Sequence, residues 1–116
     1  SDSCRIIDLS DNKIKGTFGG LSGEGLQILN ISHNKMKSKF PENIGLLLPV
    51  IESLYMDNNE FYGTINQFSF EIPTLKSIDL SNNNFNGELP NMEGTRLETG
   101  YFGNNKFSGA LPMLPK

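Results

Sequence analysis

A chain of 116 residues with a formal charge of −3 and a sequence pI near 5.0 has room for one domain and lacks the basic balance that a nucleic-acid partner demands. Its single Cys excludes a disulfide within the chain, no stretch reads as a signal peptide, and no run approaches the roughly 18 apolar residues of a membrane span. Apolar residues make up 36%, while twelve Gly and six Pro fit either disorder or a coil of many short elements.

Position decides between the two, because the apolar residues recur in register. Asn12, Asn34, Asn59, Asn83 and Asn105 are spaced by 22, 25, 24 and 22 residues. The first unit opens on Cys4, places the alternating pair Ile7/Leu9 ahead of Asn12, and continues through Ile14, Gly16 and Phe18. The second runs through Leu26, Leu29/Ile31, Asn34, Met36 and Phe40-Pro41, with Ser38 where the other units have Gly. The third follows with Ile51, Leu54/Met56, Asn59, Phe61, Gly63 and Ile65, and the fourth with Leu75, Ile78/Leu80, Asn83, Phe85, Gly87 and Leu89-Pro90. In the fifth, Leu97, Phe102, Asn105, Phe107, Gly109 and Leu111-Pro112 hold the pattern, but Gly100 leaves a strand Leu site empty. Gly19 and Asn66 stand where a Pro would fall in units one and three.

Each recurring position has a physical reason. Alternation at period two puts the paired apolar residues on one face of a short strand and the residue between them on the other. Where the chain turns inward after the strand, backbone N–H and C=O groups lose their ladder, and a buried Asn donates and accepts at once to satisfy them. Gly four residues later suits a positive-φ turn, and Pro beyond it suits an extended segment that needs no ladder donor.

The coupled positions of "LKSIDLSNNNFNGELP" (75–90) and "LETGYFGNNKFSGALP" (97–112), with "FPENIGLL" (40–47) for the helical side, resemble the plant-type leucine-rich repeat. The resemblance covers essentially the whole chain. It implies an α/β-type solenoid, a right-handed coil with a parallel β-sheet on its concave face and short strands, 3-10 turns and loops on its convex side. Five repeats are expected at about 4–25, 26–50, 51–74, 75–96 and 97–116. A lone repeat buries some six side chains worth about 1.5–3 kcal/mol each, against roughly 1–2 kcal/mol of ordering cost per residue, so stacked neighbours must supply the deficit. With no polar cap and no paired-Cys cap in the sequence, the five repeats are expected to be an uncapped fragment of a longer array.

No nucleophile–His–acid set, phosphate loop or metal-ligand spacing occurs, which argues against an enzyme and against any cofactor or metal. His33, alone beside Asn34, is expected to be a turn residue; Cys4, in the column of Leu26 and Ile51, a small buried hydrophobe rather than half of a cap disulfide. Asn30-Ile31-Ser32 is the one glycosylation acceptor sequence, with Asn30 pointing outward. Lys13, Lys15, Lys35, Lys37 and Lys39 cluster on one flank, where a solvated face is the ordinary explanation and a sulfated or acidic partner the other. Glu52, Lys76 and Glu98 alternate in sign on adjacent strands and suit modest cross-strand pairs. Asn59 is expected to belong to the buried stack and Asn58, one residue away, to face outward and tolerate Ala.

The partner-binding candidates are Tyr55, Asp57, Asp79 and Tyr101, two aromatic faces flanking carboxylates on the exposed side of the strands, suited to a basic side chain of a partner. The family resemblance implies a non-catalytic recognition scaffold, part of the extracellular, cell-surface ectodomain of a plant receptor-like kinase or receptor-like protein. Its expected partners are a protein or peptide ligand and a co-receptor, with no nucleic acid and with a membrane reached only through other parts of the parent. The alternatives are a secreted inhibitor similar to the polygalacturonase-inhibiting proteins and an intracellular scaffold built on the same repeat.

Overall fold

The computed structural model describes residues 3–18 and 21–116. In chain order its elements are β1 (Ile6–Asp8), β2 (Lys15–Gly16), β3 (Ile28–Asn30), β4 (Lys35–Met36), α1 (Ile44–Leu47), β5 (Ser53–Tyr55), β6 (Tyr62–Gly63), β7 (Ser77–Asp79), β8 (Asn84–Gly87), β9 (Thr99–Tyr101) and β10 (Lys106–Phe107). The chain coils so that every second strand joins one parallel five-stranded sheet in the order β1-β3-β5-β7-β9. Its register aligns Ile7, Leu29, Leu54, Ile78 and Gly100, the residues that the period-two pattern assigns to the core.

Behind this sheet the core is a set of columns, each filled by one residue per coil. Leu26, Ile51 and Leu75 form one, Leu29, Leu54 and Ile78 the next, and Ile31, Met56 and Leu80 a third, all buried. Phe61, Phe85 and Phe107 stack with centroids 6.2 and 6.3 Å apart, and Phe40 meets Phe70 and Phe85 edge-on at 6.3 Å. Such offset and edge contacts add to the apolar burial each ring already gains. At Gly100 a neighbouring ring takes up part of the missing side chain's space, beside a cavity of about 510 Å³ that Gly100 and Leu97 also line. The Phe102 ring lies where a side chain on residue 100 would stand, 2.7 Å from the position of its Cβ, and packs on Phe70 at 5.7 Å.

The Asn stack bonds from coil to coil. Asn59 Nδ2 donates to Ile31 O at 2.9 Å in the preceding coil, and its Oδ1 accepts the Met36 N–H at 3.0 Å. Asn34, Asn83 and Asn105 repeat the pattern, each accepting from the preceding coil at Ile14, Phe61 and Phe85. Each also donates to that coil, at Leu9 O, Met56 O and Leu80 O. Asn12 departs from the expected stack: it is exposed, and among the described residues its side-chain amide bonds only within its own coil, to Leu9 O and Ser10 O.

A second set of short parallel pairs lies on the flank, β2 with β4 and β6 with β8 and β10. Gly16, Gly63, Gly87 and Gly109 all have positive φ there, from 79° to 102°. Ser38 replaces that glycine in the second coil, takes no positive φ, and accepts the Phe18 N–H at 3.4 Å through its hydroxyl. The flank hydrogen bonds nevertheless continue past that point, from the Glu60 N–H to Met36 O at 2.9 Å and from the Tyr62 N–H to Ser38 O at 3.1 Å, with Lys39 bridging to Tyr62. Gly19, the unit-one departure from Pro, lies outside the described residues.

Three sequence expectations need correction. Cys4 is exposed, not buried, because its coil is packed on one side only, while Leu26, Ile51 and Leu75 of the same column lie between coils. Glu52, Lys76 and Glu98 form no ion pair among the described residues; exposed pairs return too little to hold two long side chains in one geometry. Asn58 is not a neutral outward position: with Asp11, His33, Asn82 and Asn104 it forms a column of left-handed residues, at φ 57°.

Candidate functional site

The open face of the main sheet is built by the residues between the core pairs. Register places Asp8, Asn30, Tyr55, Asp79 and Tyr101 in one line across all five strands. Beside it run Ile6, Ile28, Ser53, Ser77 and Thr99, with the Thr99 hydroxyl donating to Ser77 Oγ at 2.8 Å. Strands in a sheet are about 4.8 Å apart, so Tyr55 and Tyr101 flank Asp79 with about 10 Å between them. Tyr101 is 59% exposed and Tyr55 is half-buried, so the two rings differ in how much surface they offer.

The carboxylates are tied down locally. Asp79 Oδ1 accepts from the Ser81 N–H at 3.0 Å and the Ser81 hydroxyl at 2.6 Å, which leaves Oδ2 without a hydrogen bond among the described residues. The same turn recurs at Asp8–Ser10 and Asn30–Ser32. Asp-x-Ser and Asn-x-Ser are thus one structural device that closes the strand end. Asn30 is half-buried within it, more enclosed than the outward position expected from sequence. At Asp8 the Ser10 hydroxyl, and then the Ser10 N–H, stabilise the carboxylate and hold its pKa below the ordinary aspartate value.

Asp57 sits one turn further along and is not part of the Tyr55–Asp79–Tyr101 line. Its Oδ2 accepts from Asn58 Nδ2 at 2.8 Å and lies 3.6 Å from His33 Nε2. His33 therefore has an acidic neighbour that its sequence position did not reveal, because Asp57 belongs to the next coil. Also missed was the exposed Tyr62 on the flank; its column holds Lys15, Lys37, Asn86 and Ser108 in the other coils. No group of three or more His, Cys, Asp and Glu among the described residues has metal-binding geometry, and no described helix is long and apolar enough to cross a membrane.

The sequence profile of the Leucine Rich Repeat family matches residues 25–47 and 74–94, in the coils that carry Asn34 and Asn83 of the stack. The chain belongs to the leucine-rich repeat family. Among curated relatives, Receptor-like protein 34 of Arabidopsis thaliana is 38% identical over 91 residues, 77% of this chain and 9% of that protein. Receptor like protein 23 of Arabidopsis thaliana is 38% identical over 123 aligned positions, 97% of this chain and 13% of that protein. The chain thus spans about a tenth of the length of these relatives. Among solved leucine-rich repeat structures, that of the Arabidopsis receptor kinase HAESA with the peptide hormone IDA and the co-receptor SERK1 superposes with a TM-score of 0.83. It is 30% identical and covers 96% of this chain and 19% of that one. The BIR3–SERK2 complex of Arabidopsis thaliana gives a TM-score of 0.86 at 26% identity, covering 91% of this chain and 58% of that one. The repeat array resembles a segment of a plant receptor-like ectodomain.

Proposed function

We propose that this leucine-rich repeat segment serves recognition, not catalysis, in the ectodomain of a plant cell-surface receptor, and that its concave strip holds a basic side chain of a protein or peptide partner. The observation that carries this is the alignment of Tyr55, Asp79 and Tyr101 on an uncovered sheet face, with Asp79 Oδ2 left unbonded. Two ring faces beside a carboxylate attract a cation by charge and by cation–π interaction, each worth about 0.5–1 kcal/mol at exposed sites. The Arabidopsis receptor kinase in complex with a peptide hormone and a co-receptor supports partners of the same two classes here. The receptor-like relatives support an extracellular setting, in which a glycan on Asn30 would shield the N-terminal half of the strip.

Selection of displayed random peptides against the chain tests the strip directly. Peptides carrying Lys or Arg should be enriched, and Asp79→Asn, Tyr55→Ala and Tyr101→Ala should each weaken the selected peptide about three- to tenfold. Asp79→Asn keeps the turn, since Asn30 makes it in the third strand's place, so the melting temperature should hold. Unchanged affinity in all three variants would dispose of the strip as the contact surface.

A further inference from the structure

The flank of the first coils carries charge that the concave strip does not use. From Lys35 to Phe40 exposure alternates, with Lys35, Lys37 and Lys39 exposed, Met36 and Phe40 buried and Ser38 half-buried. Extended backbone sends alternate side chains to the same side, so these ammonium groups spring from points about 6.6 Å apart. Lys13 and Lys15 repeat the arrangement on the neighbouring coil, where Lys15 is the ladder partner of Lys35. Five of the chain's ten Lys and Arg residues thus share one surface of a chain whose net charge is −3. None of the five forms an ion pair among the described residues. The acids facing this surface are Asp11, Glu42 and Glu60, all exposed, and Glu60 comes alongside Lys37 where its N–H bonds Met36 O.

Past Lys39 the same flank changes chemistry. Lys39 bridges to Tyr62, which is 40% exposed and pairs in turn with Asn84. Next to them lies a groove of about 490 Å³ whose polar wall is Lys39, Glu42, Thr64, Asn66 and Asn86. Its apolar part is the buried ring of Phe40 and the bare Gly63, against which the Lys39 stem rests. Hydroxyl and amide groups that donate and accept match sugar hydroxyls, and an exposed phenol ring offers a flat apolar face to the C–H side of a pyranose.

We propose that this flank binds an acidic polysaccharide segment, with its carboxylates or sulfates along the lysine rows and a sugar ring against Tyr62, the bridge partner of Lys39 in the groove wall. Lysine fits the first part: its ammonium is a compact, hydrated point charge without the planar fork of Arg, suited to a run of anions rather than to one fixed carboxylate. The groove fits the second, since it offers polar partners but no deep apolar pocket of the kind that anchors a peptide side chain.

Binding of a galacturonate oligosaccharide of about ten sugars to the full chain, beside neutral dextran and poly-L-glutamate, tests the proposal. The oligosaccharide should bind, dextran should not, and affinity should fall about tenfold to a hundredfold between about 50 and 200 mM salt as counterion release predicts. Combined Lys15→Gln, Lys35→Gln and Lys37→Gln should cost at least about tenfold by the same electrostatics. Tyr62→Ala should weaken the oligosaccharide about threefold or more while leaving poly-L-glutamate unchanged, and Tyr62→Phe should restore it. Because these side chains are exposed, the thermal melt should not move, and Asp79→Asn on the concave strip should have no effect in this assay. Poly-L-glutamate binding as tightly as the sugar, with both indifferent to Tyr62→Ala, would overturn the proposal in favour of an acidic-peptide surface. Retention of sugar binding by the triple lysine variant would overturn it outright.

Discussion

The central and the outer coils place the same residue types in the same columns and arrive at different environments. Leu80 and Leu9 occupy equivalent strand positions, yet Leu80 is 0% exposed and Leu9 is 41% exposed. Asn59 and Asn83 are buried where Asn12 is exposed, and Ile51 is buried where Cys4 is exposed. The columns assign chemistry, but burial comes from having a coil on both sides. Stability in such a stack therefore divides into weak intrinsic repeat terms and strong nearest-neighbour terms.

The largest expected effect sets Leu80 against Leu9. Leu80→Ala opens a cavity between two packed coils and should cost about 2–5 kcal/mol, whereas Leu9→Ala removes a side chain already partly in water and should cost about 1 kcal/mol or less. Denaturant melts of the two variants measure the difference. Equal costs would mean that the outer coil is as tightly packed as the inner ones, which would break the contrast.

The Asn column sharpens the same contrast with polar chemistry. Asn59→Ala leaves the Met36 N–H of the preceding coil without its partner and takes one of two amide bonds from the Ile31 carbonyl, for about 1–3 kcal/mol. Asn12→Ala loses bonds to its own coil alone and should cost about 0.5 kcal/mol, since water replaces them at an exposed site. A thermal shift as large for Asn12→Ala as for Asn59→Ala would show that the bond between coils is not what matters. Asn58 sits one residue away at φ 57°, where Ala should cost on the order of 1 kcal/mol and Gly only a few tenths. Urea melts in which Asn58→Ala and Asn58→Gly coincide would remove backbone strain as the cause.

Much of this was legible in the sequence because it repeats. Five registered Asn residues and their alternating partners gave the strands, the core columns and the direction of the open face, since period two leaves no freedom about which side faces in. The positive-φ column was also written there, in the doublets Asn58-Asn59, Asn82-Asn83 and Asn104-Asn105, because Asn is the side chain that best tolerates that conformation. Only the second Asn of each doublet was assigned a role. What sequence could not show was contact between coils. The approach of Asp57 to His33 spans a coil boundary, as does the bond from the Phe18 N–H to the Ser38 hydroxyl. Partial filling of the Gly100 site by Phe102 depends on which way one ring turns. The Tyr55, Asp79 and Tyr101 line followed from register alone, but the withdrawal of Asp57 into its own turn depended on Asn58.

The smallest expected effect concerns a feature that does not need neighbours at all. The Asp8–Ser10 turn in the outer coil has hydrogen bonds of 2.6 and 2.9 Å, nearly the same as those of Asp79–Ser81 in a central coil. It is a local device, formed whether or not a coil packs on each side. Because the Ser10 hydroxyl and N–H favour the charged carboxylate, the Asp8 pKa in the folded chain lies below its unfolded value. A depressed acid contributes stability that is full above the unfolded aspartate pKa of about 3.9 and is lost as pH falls through the lower folded value. Replacing Ser10 by Ala removes the larger of the two causes and leaves the N–H bond, so Asp8 should titrate closer to the ordinary value without reaching it. Carboxyl-carbon NMR titration of Asp8 in the parent chain and in Ser10→Ala reads this directly. Superimposable curves would show that the hydroxyl bond is not holding the carboxylate. A curve that moves while the chain's melting temperature at neutral pH barely changes would place this turn among the local features of the repeat, set apart from the bonds between coils that hold the stack together.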